Sequence, residues 1–127
     1  MIQLSKRLNA VAELLVHGID QLELEQPVLA DIGTDHAYLP VYLVQKKVVK
    51  KAYAADVRKG PLLHAKEHIE QYGLGEYIQT RLSDGGESFV PGESEVAVIA
   101  GMGGGLMQKI LSGSVSYTHL TLPTIRL

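Results

Sequence analysis

A chain of 127 residues, 46% of them hydrophobic, has the length and apolar content for one domain around a single core, and no second domain is expected. Its 12 basic and 14 acidic residues leave a formal charge of −2, which excludes a global electrostatic drive toward nucleic acid and makes any polyanion partner dependent on a local basic patch. With no cysteine, charges at Lys6 and Arg7 where a signal peptide needs its apolar run, and no stretch near the ~18 apolar residues of a membrane span, disulfides, thiolate metal sites and membrane insertion are excluded and a cytoplasmic protein is expected.

Leu4, Leu8, Val11, Leu14 and Leu15 recur at spacings of three and four, which predicts an amphipathic helix from Leu4 to His17, capped by Ser5 and ended by Gly18. Val28 to Ile32 is an apolar run and the first predicted strand. After the turn Gly33 to His36, Ala37 to Lys46 has helical spacing, with Pro40 tolerable only in the first turn. Ala52 to Val57 is the second strand and Lys59 to Tyr72 the next helix, with Pro61 near its start and Gly73 as its stop. Tyr77 to Leu82 and Glu95 to Ala100 are further strands. The loop Gly101 to Gly105 follows, and Leu106 to Leu111 is expected to begin a helix. Strands alternating with helices predict an α/β domain with a parallel sheet and right-handed crossovers, all four strand-to-loop junctions lying on one edge.

Chemistry concentrates at those junctions. Asp31 lies at the end of the first strand, one residue before its last, and Asp56 ends the second, 25 residues later, close to the ~20-residue offset at which dinucleotide folds place a carboxylate for ribose hydroxyls. Vicinal hydroxyls need paired acceptors, which a carboxylate has. Asp84, with Gly85, follows the third strand, so three acids share one rim. The competing reading is a polar turn in which Asp35 caps the following helix. A nicotinamide dinucleotide is disfavoured, because Asp35 would confront its pyrophosphate. Glycines from Gly101 to Gly105 would let a flat base or a small group lie against backbone. His64 and His68 are four apart on a helix, but with no acidic third ligand evident they read as surface residues, and no metal is expected.

Asp31-Ile-Gly-Thr-Asp-His-Ala37 resembles the acidic-Gly-x-Gly-x-Gly loop of class I S-adenosylmethionine-dependent methyltransferases, with Asp35 and Ala37 at the places of the second and third glycines. Together with Leu4-Ser-Lys-Arg-Leu8, Ala30 to Pro40, Lys59-Gly-Pro61, Asp84-Gly85 and Ile99-Ala-Gly-Met-Gly-Gly104, it is similar to the bacterial tRNA (adenine-22-N1)-methyltransferase family over about residues 4 to 113. Thr34 stands where that family usually has Ser. The resemblance implies the N-terminal part of a Rossmann-like sheet, strand order 3-2-1-4 with flanking helices, and transfer of methyl from S-adenosylmethionine to N1 of a tRNA adenine. It implies donor contacts at Asp31, Gly33, Asp56, Asp84, Gly85, Ala100 and Gly101. Asp35 would stabilise the charge developing on the base, with Tyr38 or Met102 packing against it. Lys6 and Arg7 would contact tRNA phosphates, or form a solvated helix face. The alternative from another class is a non-catalytic nucleotide- or RNA-binding module.

The family continues past this point with more strands and a C-terminal helical domain. Here residues 114–127 read instead as a non-native, adapter-like tail after a partial donor-binding domain over 1–113. The fourth strand is then expected to be an exposed edge prone to self-association.

Overall fold

The computed structural model describes residues 2–83, 93–99, 105–109 and 117–118. Helix α1 spans Lys6–Gln21, and its N-cap is the expected Ser5, whose Oγ accepts from the Leu8 N–H at 3.2 Å. The helix does not stop at Gly18. Gly18 and Ile19 are both buried, and the extra turn carries Ile19 into the core before Leu22 caps the end.

Strand β1 (Val28–Ile32) leads through the turn into α2 (Tyr38–Gln45), where Pro40 sits in the first turn and its missing N–H costs no helical bond. Strand β2 (Lys51–Asp56) and α3 (Lys59–Gln71) repeat the unit, and Gly73, at φ 69°, closes α3 in the left-handed conformation that a side chain resists. Strands β3 (Ile78–Leu82), β4 (Val96–Ile99), β5 (Gly105–Lys109) and β6 (Tyr117–Thr118) complete the sheet, whose order is β3-β2-β1-β4-β5-β6. The pairs β3–β2, β2–β1 and β1–β4 are parallel, as the alternation of elements requires.

The predicted helix beyond Leu106 is instead β5, which returns antiparallel along β4 with Ala97 opposite Met107 and Val98 opposite Leu106. A short segment with Leu106, Met107 and Ile110 fits either period. Pairing satisfies the row of backbone donors and acceptors that β4 would otherwise leave open. Strand β4 is therefore interior, and the edge expected to drive self-association is filled by β5, with β6 outside it. Of the predicted tail, Tyr117–Thr118 forms β6 and the remainder lies outside the described residues.

Period-2 alternation divides the sheet into two faces. Leu29, Ala52, Ala54, Ile78, Val96 and Val98 pack with Val11, Leu15 and Ile19 of α1, Leu39, Val41 and Leu43 of α2, and Ala65 and Ile69 of α3. All three helices thus cover one face, and each fully buried Leu or Val there stabilises by about 1.5–3 kcal/mol. Ala30, Ile32, Tyr53, Ala55 and Ala97 form a smaller cluster on the other face. Above Tyr53 the Arg81 guanidinium stacks at 4.4 Å and grips Glu93 with two bonds of 2.6 and 2.7 Å. This half-buried fork joins β3 to the chain entering β4. Arg81→Ala is expected to cost about 2 kcal/mol in urea denaturation, and Arg81→Lys to recover less than half of it, since an ammonium cannot make the fork. Equal stability of all three proteins would remove that role.

Candidate functional site

Four parallel strands bring their carboxyl ends to one rim, and the turn after β1 is built against the end of β2. The N–H groups of Gly33 and Thr34 both donate to the Ala55 carbonyl at 2.8 Å, and the Asp35 N–H donates to Asp56 Oδ2 at 3.3 Å. The turn takes up left-handed backbone three times, at Gly33 (φ 79°), Asp35 (φ 58°) and Ala37 (φ 60°). Those are the three places of the glycine loop. The side chains changed, but the backbone path that glycines normally allow is retained, at a cost of about 1–2 kcal/mol for each side-chain-bearing residue. Ala37 is the N-cap of α2, no side chain caps that helix, and the Asp35 side chain is 60% exposed. A capping role for Asp35 is thereby overturned.

Asp31 shares the pleat face of Leu29, beneath the helices, and is only 2% exposed. Its Oδ2 accepts the Thr34 hydroxyl at 2.7 Å, while Oδ1 is buried with no hydrogen-bond partner among the described residues. Burial pushes the carboxyl up to about 7; the Thr34 bond opposes this and the nearby charge of Asp56 adds to it. An orphaned buried carboxylate oxygen is costly unless a ligand completes it. For Asp56 burial also acts upward, yet the N–H and guanidinium of Arg58 and the N–H of Asp35 outweigh it and hold the carboxyl below the ordinary aspartate range. Asp56 Oδ1 accepts from Arg58 N at 3.0 Å and from Arg58 Nε at 3.3 Å. The Arg58 side chain is 66% exposed, so its long bond is readily exchanged for a ligand hydroxyl.

Asp31, Gly33, Asp35, Tyr38 and Asp56 are thus gathered around one turn. Asp84, Gly85, Ala100, Gly101 and Met102 lie outside the described residues. Their neighbours flank the same rim: Ser83 is buried and donates its N–H to the Asp56 carbonyl at 2.9 Å, and Ile99 pairs in register with Ile32. Lys6 and Arg7 are exposed at the start of α1, and the Ile2 N–H just before them donates to Gln45 Oε1 at the far end of α2 from the turn. That placement favours a solvated helix face. Val57, 59% exposed directly after Asp56, was not singled out by sequence; an apolar residue directly after a strand-ending acid is the signal that could have found it. Nor was the meeting of His36, His64 and His68, which come from two elements: His68 Nδ1 lies 2.9 Å from the His36 carbonyl oxygen. Among the described residues no group of three His, Cys, Asp or Glu side chains is arranged to hold a metal ion. No described helix is long and apolar enough to cross a membrane.

The profile of the methyltransferase domain family matches residues 4–123. The chain belongs to that family. It is 44% identical over 110 residues to the tRNA (adenine(22)-N(1))-methyltransferase of Bacillus subtilis, a match that takes in 87% of this chain and 43% of the relative. The crystal structure of the B. subtilis m1A22 tRNA methyltransferase TrmK superimposes with a TM-score of 0.69 and 42% identity, over 81% of this chain and 41% of that one. Sp1610 of Streptococcus pneumoniae, solved in complex with S-adenosyl-L-methionine, gives a TM-score of 0.68 and 39% identity over 80% of this chain and 44% of that one. The chain spans less than half the length of these relatives. Its fold is that of a Rossmann-like methyltransferase, in the strand order 3-2-1-4 expected for the shared strands.

Proposed function

We propose that this chain is the donor-binding part of an S-adenosylmethionine-dependent enzyme that methylates N1 of a tRNA adenine. The observation that carries the reading is the pair Asp31 and Asp56: a buried carboxylate with one oxygen left unpartnered, next to a second whose Oδ1 faces an exchangeable exposed arginine. A nucleoside with an amino-acid arm has an ammonium that could complete Asp31 and two ribose hydroxyls that could take the place of the exposed arginine on Asp56. The relative solved with S-adenosyl-L-methionine, and the curated tRNA methyltransferase, support this assignment.

When bound, S-adenosylmethionine supplies an electrophilic methyl group on a cationic sulfur. Asp31 would hold the ammonium and Asp56 the ribose hydroxyls, with Val57 offering an apolar surface to the adenine ring. Asp84 and Gly85 after β3, and Ala100 and Gly101 after β4, are the further donor contacts in this reading. Neutral adenine already has a lone pair at N1, so no strong base is needed, and positioning supplies most of the rate. Asp35 is exposed at the turn and would stabilise the positive charge that methylation leaves on the base. Tyr38, and Met102 from the glycine-rich loop, would pack the base once it leaves its stack. A cytoplasmic location follows from a tRNA substrate.

Isothermal calorimetry with S-adenosylmethionine tests the donor site. Asp56→Ala is expected to weaken binding about a hundredfold, the loss of two hydrogen bonds to a charged acceptor. Unchanged affinity would remove the ribose assignment. Incubation with tritiated donor and bulk tRNA tests the transfer; donor binding without labelled tRNA would favour the non-catalytic alternative.

A further inference from the structure

Four aromatic rings meet beside the donor turn. The rings of His36 and Tyr38 stack with centroids 5.3 Å apart and planes 18° apart, and His64 and His68 approach His36 at 5.2 and 5.7 Å. Tyr38 and His68 lie 4.8 Å apart. The cluster is not core: the side chains of His36 and His64 are 34% and 60% exposed. Such open rings gain little from one another by burial, and none belongs to either hydrophobic cluster except Tyr38 at its margin. One nitrogen of each ring nonetheless faces a polar group. His36 Nδ1 lies 3.2 Å from Asp35 Oδ1, His64 Nδ1 4.0 Å from Glu67 Oε2, and His68 Nδ1 2.9 Å from the His36 carbonyl oxygen. His36 is stacked on Tyr38, so the 60% exposed ring of His64 is the one most open to a further ring.

The placement is directional. His36 sits in the turn after Asp35, at the rim, while His64 and His68 stand one helical turn apart along α3, about 6 Å of axial rise leading away from it. Arg58, 66% exposed, and the exposed Lys59 stand where α3 leaves the same rim, the charges that a phosphate backbone needs locally in a chain of net charge −2. Unpaired RNA bases are bound by stacking on aromatic and histidine rings with cations along the backbone.

We infer that His36, His64 and His68 form a stacking surface for an unpaired nucleotide adjoining the target adenine, so that the substrate strand runs from the donor turn along α3. This rests on the tRNA reading above and goes beyond it by naming where the flanking RNA lies. Asp35 orients the His36 imidazole, the His36 carbonyl orients His68, and Arg58 and Lys59 contact phosphate.

The test is fluorescence anisotropy of the chain with a labelled tRNA transcript, alongside calorimetry with S-adenosylmethionine on the same samples. His64→Ala and the double variant His64→Ala/His68→Ala are expected to weaken RNA binding by about tenfold or more. The slope of affinity against salt concentration should not change, since no phosphate contact is lost. His64→Phe, which keeps a ring, should bind as the parent does, and donor affinity should be the same in all of them. Unchanged RNA affinity in both alanine variants, failure of His64→Phe to preserve binding, or no RNA binding by the parent chain would each overturn the inference. If the cluster were only a brace between the turn and α3, the double variant would melt earlier while RNA affinity held, which also overturns it. Absence of donor binding in the parent would count against the proposed donor site and leave the RNA surface to be judged on the anisotropy alone.

Discussion

Asp31→Asn is expected to make the ligand-free protein more stable at pH 8 and no more stable at pH 5. The Asp31 carboxyl titrates near 7 in the folded chain against 3.8 ordinarily, so between those values the folded state binds more protons than the unfolded state. Stability therefore falls as pH rises through that window, by about 4 kcal/mol in all once pH exceeds 7. Asparagine removes the buried charge and still accepts the Thr34 hydroxyl. Its amide lacks an acceptor where Oδ1 stands alone, which takes back about 1–3 kcal/mol, leaving a net gain of about 2 kcal/mol at pH 8. Urea denaturation at the two pH values reads this directly; an equal effect at both would show that the carboxyl is not protonated in the fold. Donor binding should respond in the opposite sense. A cationic ammonium at Oδ1 draws the carboxyl to its charged form, so parent affinity should fall about tenfold per pH unit below 7, and Asp31→Asn should bind weakly and without that dependence.

Asp35→Gly is expected to raise stability and, if Asp35 has the proposed catalytic role, to abolish methyl transfer. Asp35 holds φ at 58° with a side chain 60% exposed, so glycine relieves a left-handed strain of about 1 kcal/mol and loses little packing. The melting midpoint should rise by about 4 °C. Asparagine tolerates the same backbone, so Asp35→Asn separates the two effects: stability near the parent's, with transfer lost if the carboxylate is what the methylated base requires. Full transfer in Asp35→Asn would end the catalytic assignment, and a lower melting midpoint in Asp35→Gly would end the strain argument.

Much of this architecture is legible in the residues themselves. Apolar spacing, the Ser5 cap and prolines confined to first turns place α1, α2 and α3, and the βα alternation dictates the parallel order. Asp31 and Asp56 are legible as a pair because each stands at or next to the carboxyl end of a strand. What is not legible depends on tertiary setting. Gly18 continues its helix because the next turn has a core to enter. Leu106 to Lys109 becomes a strand because a neighbouring edge needs partners. A motif that counts glycines cannot register that Asp35 and Ala37 adopt glycine-like torsions. His36 and His64 are distant in sequence and meet only because a right-handed crossover lays α3 beside the β1–α2 turn.

The two N–H groups that Gly33 and Thr34 commit to the Ala55 carbonyl have a bearing on selectivity. Phosphate-binding turns of this topology leave such amides open toward an anion. Here they are already engaged with backbone, and the next residue is an aspartate. On the proposed donor reading the turn would discriminate by refusal: ATP, NAD and their phosphorylated relatives share the adenosine that Asp56 and Val57 would accept, but their phosphates would meet a carboxylate instead of free donors, so a nucleoside without phosphate would be preferred.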